Sequence, residues 1–225
     1  MGNNANASTP FLFCTQLNIT ELLGIKVSNV YDLYKQIKEV PDSSIFHHTH
    51  CFLLQHQYLA FEPHNDFAYW ITSVLGEEAL GEQLSSIDTV QFYTINDLRK
   101  KIANIISMYL RRNPSVKKKY ARPGDEFYFA KSVSVIISTG HQAHTIEEFV
   151  SLLNIITHES LYYHIFEARL RLGGKSNDFS KWLSDMFDER HLAEQIEQLD
   201  PYTYKLEDLR TELISLITKR ISIHV

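Results

Sequence analysis

The chain is 225 residues long, 44% hydrophobic and 12% aromatic, which is ample for a packed globular core, and its formal net charge is −5. No window approaches the ~18 to 20 uninterrupted apolar residues of a spanning helix, and the opening MGNNANASTP has neither the charged nor the apolar run of a signal segment. Two cysteines, Cys14 and Cys51, cannot build a disulfide framework, so a stapled secreted domain is excluded and a reducing cytoplasm is expected.

Residues 1–10 read as a disordered lead-in. Phe11-Leu12-Phe13-Cys14 alternates like a strand and runs toward a turn expected at Gly24. Val30, Leu33, Ile37 and Val40 then fall at helical spacing. Pro41-Asp42-Ser43 is a helix start. It predicts a helix over 44–59 with Ile45, Phe46, Phe52 and Leu53 buried. Asn65-Asp66 caps a short helix that places Phe67 and Trp70 on one face, and a further helix carries Leu80, Leu84 and Ile87. Val90-Gln91-Phe92-Tyr93 reads as extended, and Leu98, Ile102, Ile105, Ile106 and Tyr109 mark a last helix. Residues 111–125 hold Arg111, Arg112, Lys117, Lys118, Lys119 and Arg122 against Asp125 alone, and this basic stretch reads as a linker.

Beyond the linker the pattern recurs. Phe127, Phe129, Gly140, Ser160 and His164 repeat Phe11, Phe13, Gly24, Ser44 and His48 at an offset of 116, and Asn177-Asp178-Phe179 with Trp182 repeats Asn65-Asp66-Phe67 with Trp70 at an offset of 112. An ordered series of this length points to a tandem duplication. The expected organisation is unit 1 at residues 11–110, a linker at 111–125 and unit 2 at 126–225, packed as one globule about a pseudo-twofold axis. The fold class is α+β, predominantly helical, with short strands.

The chemistry-bearing stretch is SIFHHTHCFLLQHQYL, residues 44–59. Only His48 has a histidine at its matched position, His164; His47, His50 and Cys51 are matched by Tyr163, Phe166 and Glu167. His47, His50 and Cys51 share a helix face and offer imidazole and thiolate to a metal, while aromatic-like packing explains the same residues without one. A duplicated metal site is excluded. His48 is expected to lie against the second copy near His164. His164, Glu167 and Arg171 stand at i, i+3 and i+7, with Glu167 placed to pair with Arg171, a set suited to an anionic or sugar-like ligand or to a plain helix-surface ion pair. Asn65-Asp66 and Asn177-Asp178 read as caps, and Gly173-Gly174 as a helix C-terminus. P-loop, GxGxxG, GxSxG, HExxH and EF-hand patterns are absent.

Together SIFHHTHCFLLQHQYL, PHNDFAYW and YYHIFEARLRLGGKSNDFSKW resemble a family of uncharacterised bacterial proteins known only as a domain of unknown function. The resemblance covers nearly the whole chain from Phe11 and implies a bacterial cytosolic protein, with no activity, cofactor or catalytic residue attached. The expected function is a non-catalytic module that recognises a partner protein or small ligand between the copies, with no cofactor and no membrane. Nucleic acid is disfavoured because both flanks of the basic stretch are acidic. Self-association is left open. The alternative is an enzyme, a metal-assisted hydrolase using His and Asp residues of the first copy.

Overall fold

A computed structural model describes residues 6–51, 65–199 and 206–223. Strand β1 (Phe11–Val27) leads to α1 (Val30–Glu39) and α2 (Asp42–Phe46), which widens into a π-helical turn at His47–Cys51. Next come α3 (Asp66–Ser73), α4 (Glu78–Ser85), a 3-10 turn at Thr89–Gln91, α5 (Ile95–Arg112) and a 3-10 turn at Pro114–Lys118. Strand β2 (Phe127–Ala143) opens the same order again: α6 (Ile146–Leu153), α7 (His158–Tyr162), a π-helical turn at Tyr163–Glu167, α8 (Ala168–Leu172), α9 (Asp178–Phe187), α10 (Arg190–Glu197) and α11 (Leu206–Ile223). The fold is α+β and predominantly helical. No helix among the described residues is long and apolar enough to cross a membrane.

β1 and β2 form a two-stranded sheet. Lys26 pairs with Glu126, Glu21 with Lys131, and the Phe13 carbonyl accepts from Thr139 Oγ1, so the strands run antiparallel. Both are longer than their sequence pattern suggested. Gly24 and Gly140 were expected to turn the chain, but each sits inside its strand at φ +70° and +77°. Glycine accepts that backbone without a Cβ clash, so the strand passes through the irregularity instead of ending at it.

The chain divides into two compact units, neither of which follows the 11–110 and 126–225 division expected from the sequence. The terminal unit comprises Met1–Leu17 with Val135–Val225, and the central unit is Asn18–Ser134. Each unit therefore takes its buried aromatic strand segment from a distant part of the chain. In the terminal unit Phe11 and Phe13 pack on Phe149 and Phe179 with ring centroids 5.2 to 6.2 Å apart. In the central unit Phe127 and Phe129 meet Phe67 at 5.4 and 6.4 Å. Phe13, Phe67, Phe129, Phe149 and Phe179 are fully buried, and each such side chain contributes roughly 1.5 to 3 kcal/mol from burial alone.

The helices follow their sequence signals where local chemistry decides. Asn29, Thr94, Thr145 and Thr157 cap α1, α5, α6 and α7, each accepting a backbone N–H of the first turn. Asn65 and Asn177 cap α3 and α9 in the same way. Gly173 closes α8 in the left-handed region, its N–H returning to the Arg169 carbonyl. Three expectations need correction. Val90–Tyr93 is not extended, since Thr89–Gln91 forms a 3-10 turn. Phe46 is half-buried, while Ile45 is fully buried. The expected helix over 44–59 is an α-helix that gives way to the π-helical turn, and Phe52, Leu53 and the remainder of that helix lie outside the described residues.

Asn65 does more than cap, because its Nδ2 also donates to the buried Leu84 carbonyl at 2.9 Å and so ties α3 to α4. Asn65→Ala should therefore lower unfolding stability by ~1 to 2 kcal/mol, at the upper end for a cap. Urea denaturation measures it. Asn65→Asp, which keeps the acceptor but not the donor, should recover part of the loss.

Candidate functional site

The two π-helical turns stand at matched positions, and each sets one histidine against a strand. His164 Nε2 accepts the Cys14 N–H at 2.8 Å, and its Nδ1 lies 2.8 Å from Asp178 Oδ2. In the central unit His48 Nε2 accepts the Ala130 N–H at 3.0 Å, and its Nδ1 lies 2.7 Å from Asp66 Oδ2. A ring nitrogen that accepts a backbone N–H carries no proton, so the proton sits on Nδ1 and is donated to the carboxylate. Both histidines are 3% exposed, and each ring lies edge-on or tilted against two strand phenylalanines. His48 thus meets the start of β2, and its polar partners are Asp66 and the Ala130 backbone.

The aspartates owe their position to the caps. Asn65 and Asn177 fix the start of α3 and α9, which leaves the following Asp66 and Asp178 as first helical residues with carboxylates turned to the imidazoles. The helix dipole favours an anion there. The sequence pattern Asn-Asp in both copies carried this signal, although capping alone accounts for it until the histidine partner is seen.

Around the shared histidine and aspartate the two units differ. In the terminal unit Arg171 Nη2 donates to Asp178 Oδ2 at 2.6 Å, and its guanidinium lies 4.4 Å from the Tyr163 ring centroid. Burial pushes the Asp178 carboxyl up, but the bonds from His164 and Arg171 outweigh it and hold the group below its usual range. Burial also holds the His164 imidazole below its ordinary value. Glu167 does not pair with Arg171; it is buried, faces Gln16 of β1, and is pushed up to about 7 by that burial. His164 and Arg171 therefore converge on Asp178, while Glu167 stands apart.

A surface cleft of about 390 Å³ opens beside this group, lined by Thr9, Pro10, Phe11, Leu12, His164, Asp178, Lys181, Trp182, Asp185 and Met186. Its walls join residues of β1 and the segment before it to one side of α9. Except for His164, sequence reasoning had named none of these as ligand contacts, because residues 9–12 and 178–186 are far apart in the chain.

In the central unit His47, His48 and Asp66 bring their ligand atoms within 4.8 Å of one another. The metal set suggested by sequence, His47 with His50 and Cys51, is not the one brought together. His50 is buried, stacks on Phe46 and approaches Thr49 Oγ1 at 3.0 Å, and burial holds it down to about 4. Cys51 Sγ reaches Ser132 Oγ at 3.6 Å.

The model of a family of unknown function (DUF5752) matches residues 8–218. The chain belongs to that family. The fold is also similar to the solved structure of OrfY from Thermoproteus tenax, with a TM-score of 0.79 and 27% identity over 95% of this chain and 96% of that one. Comparison with curated proteins gives no match. Neither the family description nor the name OrfY specifies a ligand or a reaction, so the side chains must carry the functional argument.

Glu167 generates a pH prediction. Its pKa rises from 4.5 unfolded to about 7 folded, so the native state holds this proton more tightly. The stabilisation is complete below pH ~4.5 and is lost as pH rises to ~7, by an amount on the order of 2 to 3 kcal/mol. Glu167→Gln should remove that loss. Urea denaturation at pH 5 and pH 8 should show the variant gaining on the wild type at pH 8. His50 acts oppositely in both proteins: its depressed pKa removes stability as pH falls from 6.5 to about 4.

Proposed function

We propose that the protein is a non-catalytic binding module, and that its ligand is a small molecule taken up in the cleft of the terminal unit, where residues of the first sequence copy face residues of the second. One observation carries this reading: both nitrogens of His48 and of His164 are committed to hydrogen bonds, which leaves neither imidazole a lone pair to accept a substrate proton. A His–Asp pair next to a cleft would otherwise be the natural general base. Here its geometry serves to fasten strand to helix.

The cleft supports a ligand with an apolar face and polar substituents. Phe11, Leu12, Trp182 and Met186 supply the apolar wall, and Asp178, Lys181 and Asp185 supply charge. The volume lies within the range of small-molecule sites. The Lys181–Asp185 ion pair, at 2.7 Å, can open to meet hydroxyl or anionic groups at small cost because it is exposed. A tandem duplication is part of this reading, with ligand binding retained or gained in one unit. A partner protein in place of a small molecule, a cytoplasmic setting and self-association also belong to it.

The second reading is a metal-assisted hydrolase, favoured by the grouping of His47, His48 and Asp66. Thermal shift over sugars, sugar phosphates and short carboxylates should raise the melting temperature of the wild type with at least one class. Met186→Trp, which fills the cleft, should abolish that shift while melting near the wild type. A shift that survives Met186→Trp, or turnover of ester or phosphoester substrates by metal-supplemented protein, would favour the second reading.

A further inference from the structure

The two units solve the same electrostatic problem differently. Asp178 and Asp66 are matched positions, each a helix-start carboxylate receiving a histidine Nδ1–H. In the terminal unit the remaining negative charge is met by Arg171, whose guanidinium rests on the Tyr163 ring. In the central unit the position matched to Arg171 is Gln55, which has no charge, and the position matched to Tyr163 is His47. Among the described residues no Lys or Arg pairs with Asp66. His47 stands beside it, with a ring nitrogen within 4.8 Å of the Asp66 carboxylate, and its Nδ1 is buried with no hydrogen-bond partner among the described residues. A buried ring nitrogen without a partner is unfavourable, and the Asp66 carboxylate, with its side chain 29% exposed, remains open to a further ligand. One divalent cation would engage both groups at once.

We propose that the central unit binds a divalent first-row transition metal ion through His47 Nδ1 and the Asp66 carboxylate, in the role that the Arg171 guanidinium plays in the terminal unit. His48 is not a ligand. Its Nε2 must stay bare to accept the Ala130 N–H, so Nδ1 must keep its proton and continue to donate to Asp66. That places His48 behind the carboxylate as the group that orients it, the arrangement found around metal-binding carboxylates. Imidazole with carboxylate selects zinc, cobalt or nickel over magnesium or calcium, which prefer oxygen donors throughout. Water completes the coordination, so affinity is modest and the ion acts as a clip between the π-helical turn and the start of α3. The inference is independent of the ligand cleft, which lies in the other unit.

The test uses the untagged full chain, stripped with chelator and dialysed, then titrated with Co²⁺ by visible absorption and with Zn²⁺ by calorimetry. The wild type should take up one equivalent per chain at this site and melt at a higher temperature with Zn²⁺ in excess. His47→Tyr installs the residue found at the matched position and should retain the fold while weakening binding of that equivalent by more than about tenfold. Asp66→Asn should do the same, and neither variant should be stabilised by Zn²⁺. Absence of saturable binding by the wild type would overturn the proposal. So would a His47→Tyr titration indistinguishable from wild type, which would assign the metal to other side chains. Should Asp66→Asn fail to fold, His47→Tyr decides alone.

Discussion

The structure depends on a neutral histidine used twice as a two-ended fastener. One ring nitrogen must accept a strand N–H while the other donates to a carboxylate, so each imidazole joins a strand to a helix start through the middle of an aromatic core. A protonated ring would aim an N–H at the strand N–H. That would cost one hydrogen bond and leave a buried donor unsatisfied, a penalty of about 1 to 3 kcal/mol on top of desolvating the charge. Phenylalanine edges and faces surround both rings and keep water away. Caps by Asn65 and Asn177 position the aspartates, and the tryptophans that follow donate to backbone carbonyls just ahead of the strands, Trp70 to Asp125 and Trp182 to Thr9. Strand, histidine, aspartate and tryptophan therefore form one connected set in each unit.

That set is kept while its surroundings diverge. Glu167 faces Gln16 where the matched pair is Cys51 and Ser132. Ser160 donates to the Cys14 carbonyl, whereas the Ser44 hydroxyl at the matched position has no partner among the described residues. Arg171 neutralises Asp178 and no described Lys or Arg does so for Asp66. The terminal unit thus sets an exposed cation against its aspartate and buries an acid, where the matched positions of the central unit carry groups that are neither. Because the fastening does not involve these neighbours, they are free to differ without loss of the fold, and chemistry that distinguishes the units collects there.

The strands make these contacts over long separations. Cys14 meets His164 across 150 residues and Ala130 meets His48 across 82. Each unit closes only when a strand from a distant part of the chain arrives, so its last aromatic contacts carry a large loop-closure cost. Deep burial of the phenylalanines compensates, and it explains why the first residues of β1 and β2 are the most aromatic and best buried, while the strand middles are largely exposed.

Local signals in the sequence determined most of the elements. Helix starts at Asn29, Asn65, Thr94, Thr145 and Asn177 follow from side chains that accept their own first-turn N–H groups, and the apolar spacing of Leu98, Ile102 and Ile106 names the buried face of α5. The recurrence of His48 at His164 and of Asn-Asp singled out residues that the structure joins as two His–Asp pairs. What they do was decided by tertiary structure, because the hydrogen-bond partner of a buried imidazole is set by whichever backbone reaches it, and that strand arrives from a distant part of the chain. The same holds for Arg171, which sequence spacing would pair with Glu167 one helical turn away, yet which turns to Asp178 because that carboxylate is already held in place by a cap and a histidine. Periodicity and capping act between residues a few positions apart and can be read directly. The docking of each aromatic strand start on distant helices, burial of Glu167 and the grouping of His47 with Asp66 arise from contacts between distant segments, for which a single chain of letters carries no local signature.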